Sequence, residues 1–381
     1  MYLPSESQKI LEILGGYKKS NAHMPETMFV GGSVRDLLLG KIVLDWDIAT
    51  IHTPDKVMKL LKKAKIKAVP TGLAHGTVTA VFPNVSFQIT TLRKDVETDG
   101  RHAVVQFSNS WVEDAQRRDF TINTLLMDGE GNIYDPIEDG FDDLDIGRIR
   151  FVGEPAQRIK EDYLRILRFF RFNATHGRAT VNKQALEACV KLKGGLTKLS
   201  KERITTEILK LLKGVKAAAM LRLMKEHKIL PWLTADFTAR NLEASQPLLN
   251  LVIVAGYKKA RLQKIIENLA LSREQVRTLE NTLEAYAHLK KHKLADEALF
   301  YTAQTYGLDT AQSAAEMLKA KPTQITKLKK YAGKKFPLSG QDLMAAGYKA
   351  GPALGKALEK ARGIWIKSLG AKTKKQLLSG L

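Results

Sequence analysis

Two short runs near the N-terminus contain residue types that bind phosphate and metal ions. Residues 29–36 read FVGGSVRD, and residues 45–47 read DWD. A strand that ends at Gly31 and Gly32 and opens a helix leaves backbone N–H groups at a positive helix terminus, where phosphate approaches without interference from a Cβ. Arg35, in the first turn of that helix, adds a forked donor for a phosphate oxygen. The first run therefore predicts a phosphate cradle.

The two carboxylates that follow predict a metal site. Asp45 and Asp47 are two apart on a predicted strand, so they point to the same face. Adjacent carboxylates repel each other unless a cation lies between them, and hard oxygen ligands suit Mg²⁺. Taken singly, the glycines are also explained by a tight strand–helix turn and the aspartates by a solvent-facing acidic pair. Taken together, a phosphate cradle beside a divalent-metal pair predicts phosphoryl or nucleotidyl transfer.

Two further runs are rich in arginine. Residues 114–123 read DAQRRDFTIN, and residues 158–172 carry arginine at 165, 168 and 171. Acids bracket the arginine pair of the first run, so a surface charge network is the simpler interpretation of that run by itself.

Residues 158–172 predict one amphipathic helix. At 100° per residue its three arginines fall on one face, and Asp162 lies one turn before Arg165. One interpretation is a helix with an (i, i+3) ion pair worth a few tenths of a kcal/mol. The other is that the Asp acceptor and the Arg donor, on one rigid helix, read the Watson–Crick edge of a base while the remaining arginines hold phosphates.

The elements around these runs change character near residue 150. Before it, β-branched or aromatic runs bounded by turn residues predict strands at residues 28–30, 77–82, 85–92, 104–107 and 132–134. Helical patterns cover residues 4–14, 33–39 and 54–64, and after Gly153 only helical spacing remains. We therefore expect an α/β head with a mixed sheet at residues 1–150, followed by an all-α neck (151–215), body (216–305) and tail (306–381).

Composition limits the class of protein. The 381 residues carry 61 Lys and Arg against 40 Asp and Glu, a formal charge of +21, and are 44% hydrophobic. This composition is typical of a globular protein and not of a disordered polyelectrolyte. The single cysteine, Cys189, excludes an intramolecular disulfide and a thiolate zinc cluster. No apolar run approaches the length of a membrane helix, so we expect a cytoplasmic protein with no membrane partner.

The positive charge is concentrated at the C-terminal end. Residues 321–381 contain fourteen Lys or Arg and two acids, a local net charge of +12. Such a surplus favours a polyanionic partner, because neutralising phosphates releases counterions. A lysine-rich surface that keeps the protein soluble accounts for the charge equally well.

Together these runs resemble the class II tRNA nucleotidyltransferases, the CCA-adding enzymes of bacteria and eukaryotic organelles, which share their polymerase β-type head with poly(A) polymerases. The motifs occur in the order of the family: GGSVRD at 31–36, DWD at 45–47, TTLRKD at 90–95 with DGRHA at 99–103, RRDFTIN at 117–123, and EDYLR at 161–165. The segments LSKERI at 199–204 and FPLSGQDL at 336–343 are similar to the neck and tail of the family.

The resemblance implies template-independent transfer of CMP and AMP from CTP and ATP to the 3′ end of tRNA, with release of pyrophosphate. Poly(A) polymerase activity, or a catalytically weakened RNA-binding relative, remains an alternative. Asp45 and Asp47 would bind two Mg²⁺, and Asp162 and Arg165 would select the base. The nucleotide-binding residues it implies are Gly31, Gly32, Arg35, Arg117, Arg118, Asp119, Asn123, Asp162, Arg165, Arg168 and Arg171. Residues 93–102 resemble the flexible loop that family members use to switch from C to A.

The chain departs from the family at one catalytic position and carries a basic helix near its end. Where the family usually has a glutamate, thought to be the third active-site carboxylate, this chain has Gln88. An amide binds through hydrogen bonds or coordination but neither neutralises a metal ion nor acts as a base near neutral pH, so we expect it to affect rate more than fold. In the tail, a predicted helix that opens at Gly351 should bind the tRNA elbow. Its basic residues are Lys356, Lys360, Arg362 and Lys367.

Overall fold

The computed structural model describes residues 3–17, 24–43, 45–73, 76–99, 102–233, 242 and 245–381. The chain divides into two compact units between Met220 and Leu221. The first unit contains a mixed β-sheet with helices, and the described residues of the second unit form helices only. The predicted order, an α/β head followed by an all-α region, is confirmed. No helix in the described part of the chain is long and apolar enough to cross a membrane.

A seven-stranded sheet organises the first unit, in the order β3-β4-β5-β2-β1-β8-β9, with β2 and β5 running parallel. Its strands are β1 (Thr27–Val30), β2 (Trp46–Thr50), β3 (Lys67–Gly72), β4 (Thr77–Val81), β5 (Ser86–Thr91), β8 (Leu126–Met127) and β9 (Ile133–Tyr134). Sequence patterns missed β8, which is two residues long, and β3, which contains Pro70. Proline is tolerated in β3 because this strand lies at the edge of the sheet, where a missing N–H costs no ladder bond.

The centre of this sheet is apolar on one face and open on the other. Phe29 of β1 is fully buried, and its ring centroid lies 5.2 Å from that of Trp46 in β2. Along β5, Phe87 is buried and Gln88 is exposed. Because Asp47 pairs with Gln88 in the register of β2 and β5, both side chains lie on the same, open face.

Helices and a separate ribbon surround the sheet. The helices are α1 (Ser5–Leu14), α2 (Gly32–Leu38), α3 (Pro54–Lys63), α4 (Trp111–Gln116) and α5 (Gly140–Ile146). The segment that resembles the flexible loop of the family, residues 93–102, lies largely within an antiparallel ribbon, formed by β6 (Arg93–Asp99) and β7 (His102–Phe107). Residues 100 and 101 of that segment lie outside the described residues.

The helices that follow the sheet are α6 (Pro155–Glu161), α7 (Leu164–Thr175), α8 (Lys183–Leu192), α9 (Lys201–Leu211) and α10 (Ala217–Glu226). The prediction of one helix through residues 158–172 is wrong. Asp162 has φ −152° and ψ 108°, which is an extended conformation. Its Oδ1 accepts the backbone N–H of Leu164 at 3.0 Å, so the carboxylate ends α6 and satisfies an unpaired donor at the start of α7.

The described helices of the second unit are α11 (Asn250–Val254), α12 (Lys259–Asn268), α13 (Arg273–Lys291), α14 (Asp296–Tyr306), α15 (Leu308–Met317), α16 (Pro322–Ala332), α17 (Gly340–Ala345), α18 (Pro352–Lys367) and α19 (Lys374–Leu378). Phe300 of α14 makes edge contacts with Tyr331 of α16 and Trp365 of α18, at centroid distances of 5.2 and 4.9 Å. Trp365 is 2% exposed. The predicted body and tail therefore share one core.

Candidate functional site: an arginine-rich cleft

The turn between β1 and α2 is shaped by Gly31. Its φ is 67°, in the left-handed region, and a Cβ there would lie 2.8 Å from Nη1 of Arg118. Glycine is thus required both by the backbone and by the approach of a guanidinium. The Gly31 N–H donates to the carbonyl of Leu125 at 3.2 Å, so this donor is already used within the protein. The turn contributes by admitting Arg118 close to the backbone.

Beyond this turn lies an open cleft of about 740 Å³. All eleven predicted nucleotide-binding residues line it, together with Asp47. Its lining is Gly31, Gly32, Arg35, Asp47, Arg117, Arg118, Asp119, Asn123, Asp162, Leu164, Arg165, Arg168, Arg171, Phe172, Thr175, His176, Arg203, Lys210 and Lys213. Nine of these side chains are Arg or Lys and three are Asp. An excess of cations in a concave site attracts a multiply charged anion.

A buried carboxylate aims the arginine pair of residues 117 and 118. Asp114, 2% exposed, accepts Nη2 of Arg117 at 2.7 Å on one oxygen and Nη2 of Arg118 at 2.9 Å on the other. Burial acts to raise the pKa of Asp114, but the charges and hydrogen bonds of Arg118 and Arg117 outweigh it and hold the pKa below 3.8. Asp114 stays ionised, so both guanidinium groups have a fixed direction.

Two arginines of α7 are held in the same way. Nε of Arg168 donates to Asp119 at 2.5 Å, and Nε of Arg171 lies 3.1 Å from a carboxylate oxygen of Glu207 in α9. The Arg171 guanidinium also lies 4.1 Å from the ring centroid of Phe172. Burial and the neighbouring charge of Arg168 lower the pKa of Arg171 to about 10, against the opposing effect of Glu207. A phosphate in the cleft would relieve this repulsion between arginines.

Asp162 and Arg165 do not form the (i, i+3) ion pair that one interpretation predicted. Oδ2 of Asp162 accepts Nη2 of Arg203, from α9, at 2.7 Å. Arg165 donates to Glu161 at 2.6 Å and to the carbonyl of Arg158 at 2.8 Å. The break in the helix therefore gives each side chain its own partner, and both still line the cleft.

Arg35 is 7% exposed and is anchored at both ends of its guanidinium. Nη1 donates to Oδ1 of Asn123 at 2.6 Å, while Nε and Nη2 donate to the two oxygens of Asp36 at 3.0 and 2.7 Å. His176, just after α7, lies with Nε2 3.0 Å from the same Asp36. Burial is the main cause that lowers the pKa of His176 to about 4, so the imidazole is neutral near pH 7.

The predicted metal carboxylates lie at one end of this arrangement. Asp45 is exposed just before β2, and Asp47 is half-buried within it. Burial raises the pKa of Asp47, Arg118 opposes that shift, and the charge of Asp45 adds to it. Gln88 is the register partner of Asp47 on β5. The described residues contain no cluster of three or more His, Cys, Asp and Glu side chains able to hold a metal ion.

Four charged or ionisable lining residues were not predicted as site residues: His176, Arg203, Lys210 and Lys213. Arg203 and Lys210 are seven apart on α9 and so share a helix face. This spacing can be read from the sequence and predicts that the two side chains face the same way. The pairing of Arg203 with Asp162, 41 positions away, was not readable because it depends on how α7 and α9 pack.

The predicted tail residues lie on α18 or at its start. Gly351 precedes the helix with φ 143°, and the four basic side chains are exposed. Lys356, Lys360 and Lys367 share one face by helical spacing. Arg362 lies on another face and donates to the carbonyl of Gln304 at 3.0 Å, so it contributes to packing within the second unit.

Comparison with known proteins places these features in a family. The model of the Poly A polymerase head domain matches residues 27–150, and that of the probable RNA and SrmB-binding site of polymerase A matches residues 180–239. The chain is 36% identical over 379 residues to the mitochondrial CCA tRNA nucleotidyltransferase 1 of Danio rerio, covering 93% of this chain and 87% of that protein. It is 32% identical over 386 residues to the CCA-adding enzyme of Levilactobacillus brevis, covering 94% and 93%.

The fold comparison agrees. The crystal structure of the Bacillus stearothermophilus CCA-adding enzyme in complex with CTP matches with a TM-score of 0.78 and 27% identity, over 100% of this chain and 97% of that chain. The Thermotoga maritima CCA-adding enzyme complexed with tRNA shares the fold, with a TM-score of 0.65 at 18% identity. With more than nine-tenths of its length matched at over 30% identity, this chain belongs to the CCA tRNA nucleotidyltransferase family.

Proposed function

We propose that this chain is a template-independent CCA-adding nucleotidyltransferase that transfers CMP and AMP from CTP and ATP to the 3′ end of tRNA. One observation carries the proposal. A single cleft gathers Asp47, a set of arginines fixed by carboxylates, and the pair Asp162 and Arg165. Family membership supports the same reaction, since relatives matched over most of their length are named CCA-adding enzymes.

The arginines of the cleft bind the triphosphate in this proposal. Arg118 donates to Asp114 and to the carbonyl of Asn123, and Arg168 pairs with Asp119 and lies 4.0 Å from Glu207. Each terminal guanidinium nitrogen carries two N–H groups, so both arginines keep N–H donors for phosphate. Guanidinium groups suit phosphate oxygens through charge-assisted hydrogen bonds. Because the buried carboxylates already hold the side chains, little conformational entropy is lost on nucleotide binding.

Base selection falls to Asp162 and Arg165. A carboxylate accepts the amino group of cytosine N4 or adenine N6, whereas the carbonyl oxygens O4 of uracil and O6 of guanine would repel it. Arg203 fixes Asp162, and Glu161 fixes Arg165. The protein thus supplies the specificity that a template strand supplies in other polymerases.

The carboxylates Asp45 and Asp47 would hold Mg²⁺. The pKa of Asp47 is raised by burial and by Asp45, and a bound divalent cation would offset both causes. When bound, Mg²⁺ lowers the cost of activating the RNA 3′-hydroxyl and of releasing pyrophosphate. Gln88 lies beside Asp47 and can donate or accept a hydrogen bond there, but it adds no negative charge.

The RNA body is proposed to bind along the predicted basic tail, residues 306–381, with Lys356, Lys360 and Lys367 on one exposed face of α18. The division into head, neck, body and tail at residues 150, 215 and 305 stays a prediction, as does a cytoplasmic location. Some relatives carry the word mitochondrial in their names.

The test is an extension assay with tRNA that lacks its 3′ CCA, Mg²⁺, and each nucleotide labelled in turn. We expect incorporation of two C residues from CTP, and of one A after CTP has been supplied. Long A tracts would support a poly(A) polymerase, and tRNA binding without incorporation would support a catalytically weakened relative. Asp47→Asn is the control, since it should abolish incorporation while tRNA binding remains.

A further inference from the structure

A groove on the head carries a cluster of lysines that the cleft does not use. Residues 55–67 contain six lysines and one acid, Asp55. The groove has a volume of about 700 Å³ and lies between α3 and the edge strand β3. Its cationic lining is Lys59, Lys62, Lys65 and Lys67. This cluster is far in sequence from the basic tail.

The fold directs these lysines outward together. Met58, Lys59 and Lys62 lie with Asp55 on one face of α3, at i, i+3, i+4 and i+7. The opposite face of α3 carries Val57 and Leu61, which are buried. Lys65 has φ 57° and turns the chain so that β3 follows alongside. The helix is therefore anchored by its apolar face, and the lysine face is free to meet a partner.

The described lining of the groove has one carboxylate, Asp55, against four lysines. All six lysines between residues 56 and 67 are exposed, and none has a carboxylate within ion-pair distance among the described residues. In contrast, Arg117, Arg118, Arg168 and Arg171 of the cleft all pair with carboxylates. Like charges gathered on one surface repel each other, and a bound polyanion would remove the repulsion.

The register of the sheet links this groove to the carboxylates. Asp47 pairs with Gln88, Gln88 with Thr79, and Thr79 with Val69. Three strand spacings correspond to about 14 Å. Lys67 is two residues along β3 from Val69 and so shares the face of Asp47, whereas Ala68 of the groove lies on the opposite face, at the edge of the sheet. At an axial rise of ~3.4 Å per nucleotide, about four nucleotides cover that distance.

We propose that the α3–β3 lysine groove is a second RNA-binding surface, which contacts the phosphate backbone near the end that is extended. This inference rests on the proposed function. The described lining has no aromatic side chain on which a base could stack, so the contact is with backbone phosphate and carries no sequence preference. Its apolar members are Met58, Ile66 and Ala68. Ile66 is buried, and four exposed lysines outnumber the two apolar side chains that are partly exposed, which favours a polyanion as the partner.

The test replaces Lys59, Lys62, Lys65 and Lys67 with Gln and measures binding to tRNA lacking CCA as a function of salt. A matched control replaces four exposed lysines of the predicted body, Lys259, Lys264, Lys291 and Lys293, with Gln and so removes the same charge. We expect the groove variant to bind RNA roughly tenfold more weakly near 0.15 M salt, with a salt slope shallower by about 2 to 4. The control should stay close to the unmodified protein.

Two further measurements keep the result interpretable. A quadruple Lys→Arg variant of the groove should retain RNA affinity, which excludes a folding defect at these positions. Equal RNA affinity for the groove and control variants, in a chain that extends tRNA, would overturn the groove proposal and leave the proposed function intact. Failure of the unmodified chain to extend tRNA would instead refute the proposed function. Binding of the groove variant to anionic vesicles is measured as well. If that variant binds vesicles more weakly than the unmodified protein but binds RNA equally well, the groove is a membrane-binding surface and the proposal is overturned.

Discussion

Asp114→Asn tests whether the arginines of the cleft work because a buried carboxylate aims them. In the folded protein Asp114 receives four guanidinium hydrogen bonds of 2.7 to 3.2 Å from Arg117 and Arg118. An amide keeps the shape of the side chain but loses the charge. One carboxylate oxygen is replaced by an NH₂ group, which is a donor and would face the N–H groups of Arg117 or Arg118. The variant should therefore weaken both the fold and the binding of CTP.

The magnitudes follow from burial and exposure. Breaking a buried ion pair costs about 3 to 5 kcal/mol. The side chains of Arg117 and Arg118 are 18% and 17% exposed and can turn partly to water, so we expect a loss near the lower end, about 3 kcal/mol. If the freed arginines lose half of a charge-assisted hydrogen bond to phosphate, CTP affinity falls about tenfold, equivalent to about 1.4 kcal/mol.

The sequence offers a matched control in Asp143→Asn. Asp143 is fully buried and accepts Nε of Arg150 at 2.8 Å and Oγ1 of Thr121 at 2.7 Å, but these residues do not line the cleft. Chemical denaturation should show similar destabilisation for both variants, whereas calorimetry should show a loss of CTP affinity only for Asp114→Asn. Equal CTP affinity in the two variants would refute the aiming role of Asp114.

The pH dependence has a defined sign. In the folded protein the charges and hydrogen bonds of Arg118 and Arg117 outweigh burial and lower the pKa of Asp114. Its ionised form therefore contributes stability that is complete above the unfolded pKa of about 3.9 and is lost as pH falls through the folded pKa. The stability difference between the unmodified protein and Asp114→Asn should be constant from about pH 6 to 8 and shrink below about pH 4. A difference that grows on acidification would contradict this assignment.

Four other outcomes are expected. Gln88→Glu should raise turnover severalfold with CTP affinity little changed, and an unchanged or lower rate in the extension assay would show that position 88 is not the third-carboxylate position. Asp162→Ala should no longer distinguish CTP and ATP from UTP and GTP, while Mg²⁺ binding, measured by calorimetry, is retained. A variant that still adds only C and A would exclude a role of Asp162 in base selection. His176→Leu should raise KM for CTP about threefold, because it removes the hydrogen bond to Asp36, whereas His176→Gln should stay close to the unmodified protein. The folded pKa of His176 is about 4, so the contribution of its neutral form to stability should be complete above about pH 6.5 and lost as pH falls towards 4. Thermal melts as a function of pH measure this contribution. Replacing Lys356, Lys360 and Lys367 of α18 together with Gln should weaken tRNA binding and reduce its dependence on salt. An unchanged salt dependence of tRNA affinity would show that this face of α18 is only solvated.

Charge substitution is preferable to truncation of the tail. Trp365 of α18 packs on Phe300 of α14 and is 2% exposed. Removal of the C-terminal helices would take a large apolar side chain out of the core of the second unit, at a cost of about 3 to 5 kcal/mol. Loss of tRNA binding after truncation would then report unfolding and not the loss of a contact.

The sequence predicted the residues of the cleft better than their partners. Gly31, Arg35 and Asp47 were found because their types and spacing lie within one β–α–β segment, where local periodicity fixes direction. The contacts that aim the arginines come from elsewhere. Glu207 reaches Arg171 from a helix that begins 30 positions further along the chain than Arg171, and no local pattern encodes such a contact.

Two local errors had physical causes. The helix predicted through residues 158–172 breaks because the Asp162 carboxylate accepts the Leu164 backbone N–H and competes with the helical hydrogen bonds. Strand β3 was missed because Lys67 and Pro70 lower strand propensity, and it forms because its partner β4 supplies the ladder. In both cases tertiary or side-chain contacts overrode the periodic pattern.

The proposed function depends on the protein itself selecting the nucleotide that is added, with no template strand. The most direct measurement supplies tRNA lacking CCA with Mg²⁺ and all four nucleoside triphosphates at equal concentration, and reads the 3′ ends of the products by sequencing. Extension should stop after three nucleotides, and the added sequence should be CCA. Added U or G at a frequency similar to C and A, or A tracts of variable length, would contradict it.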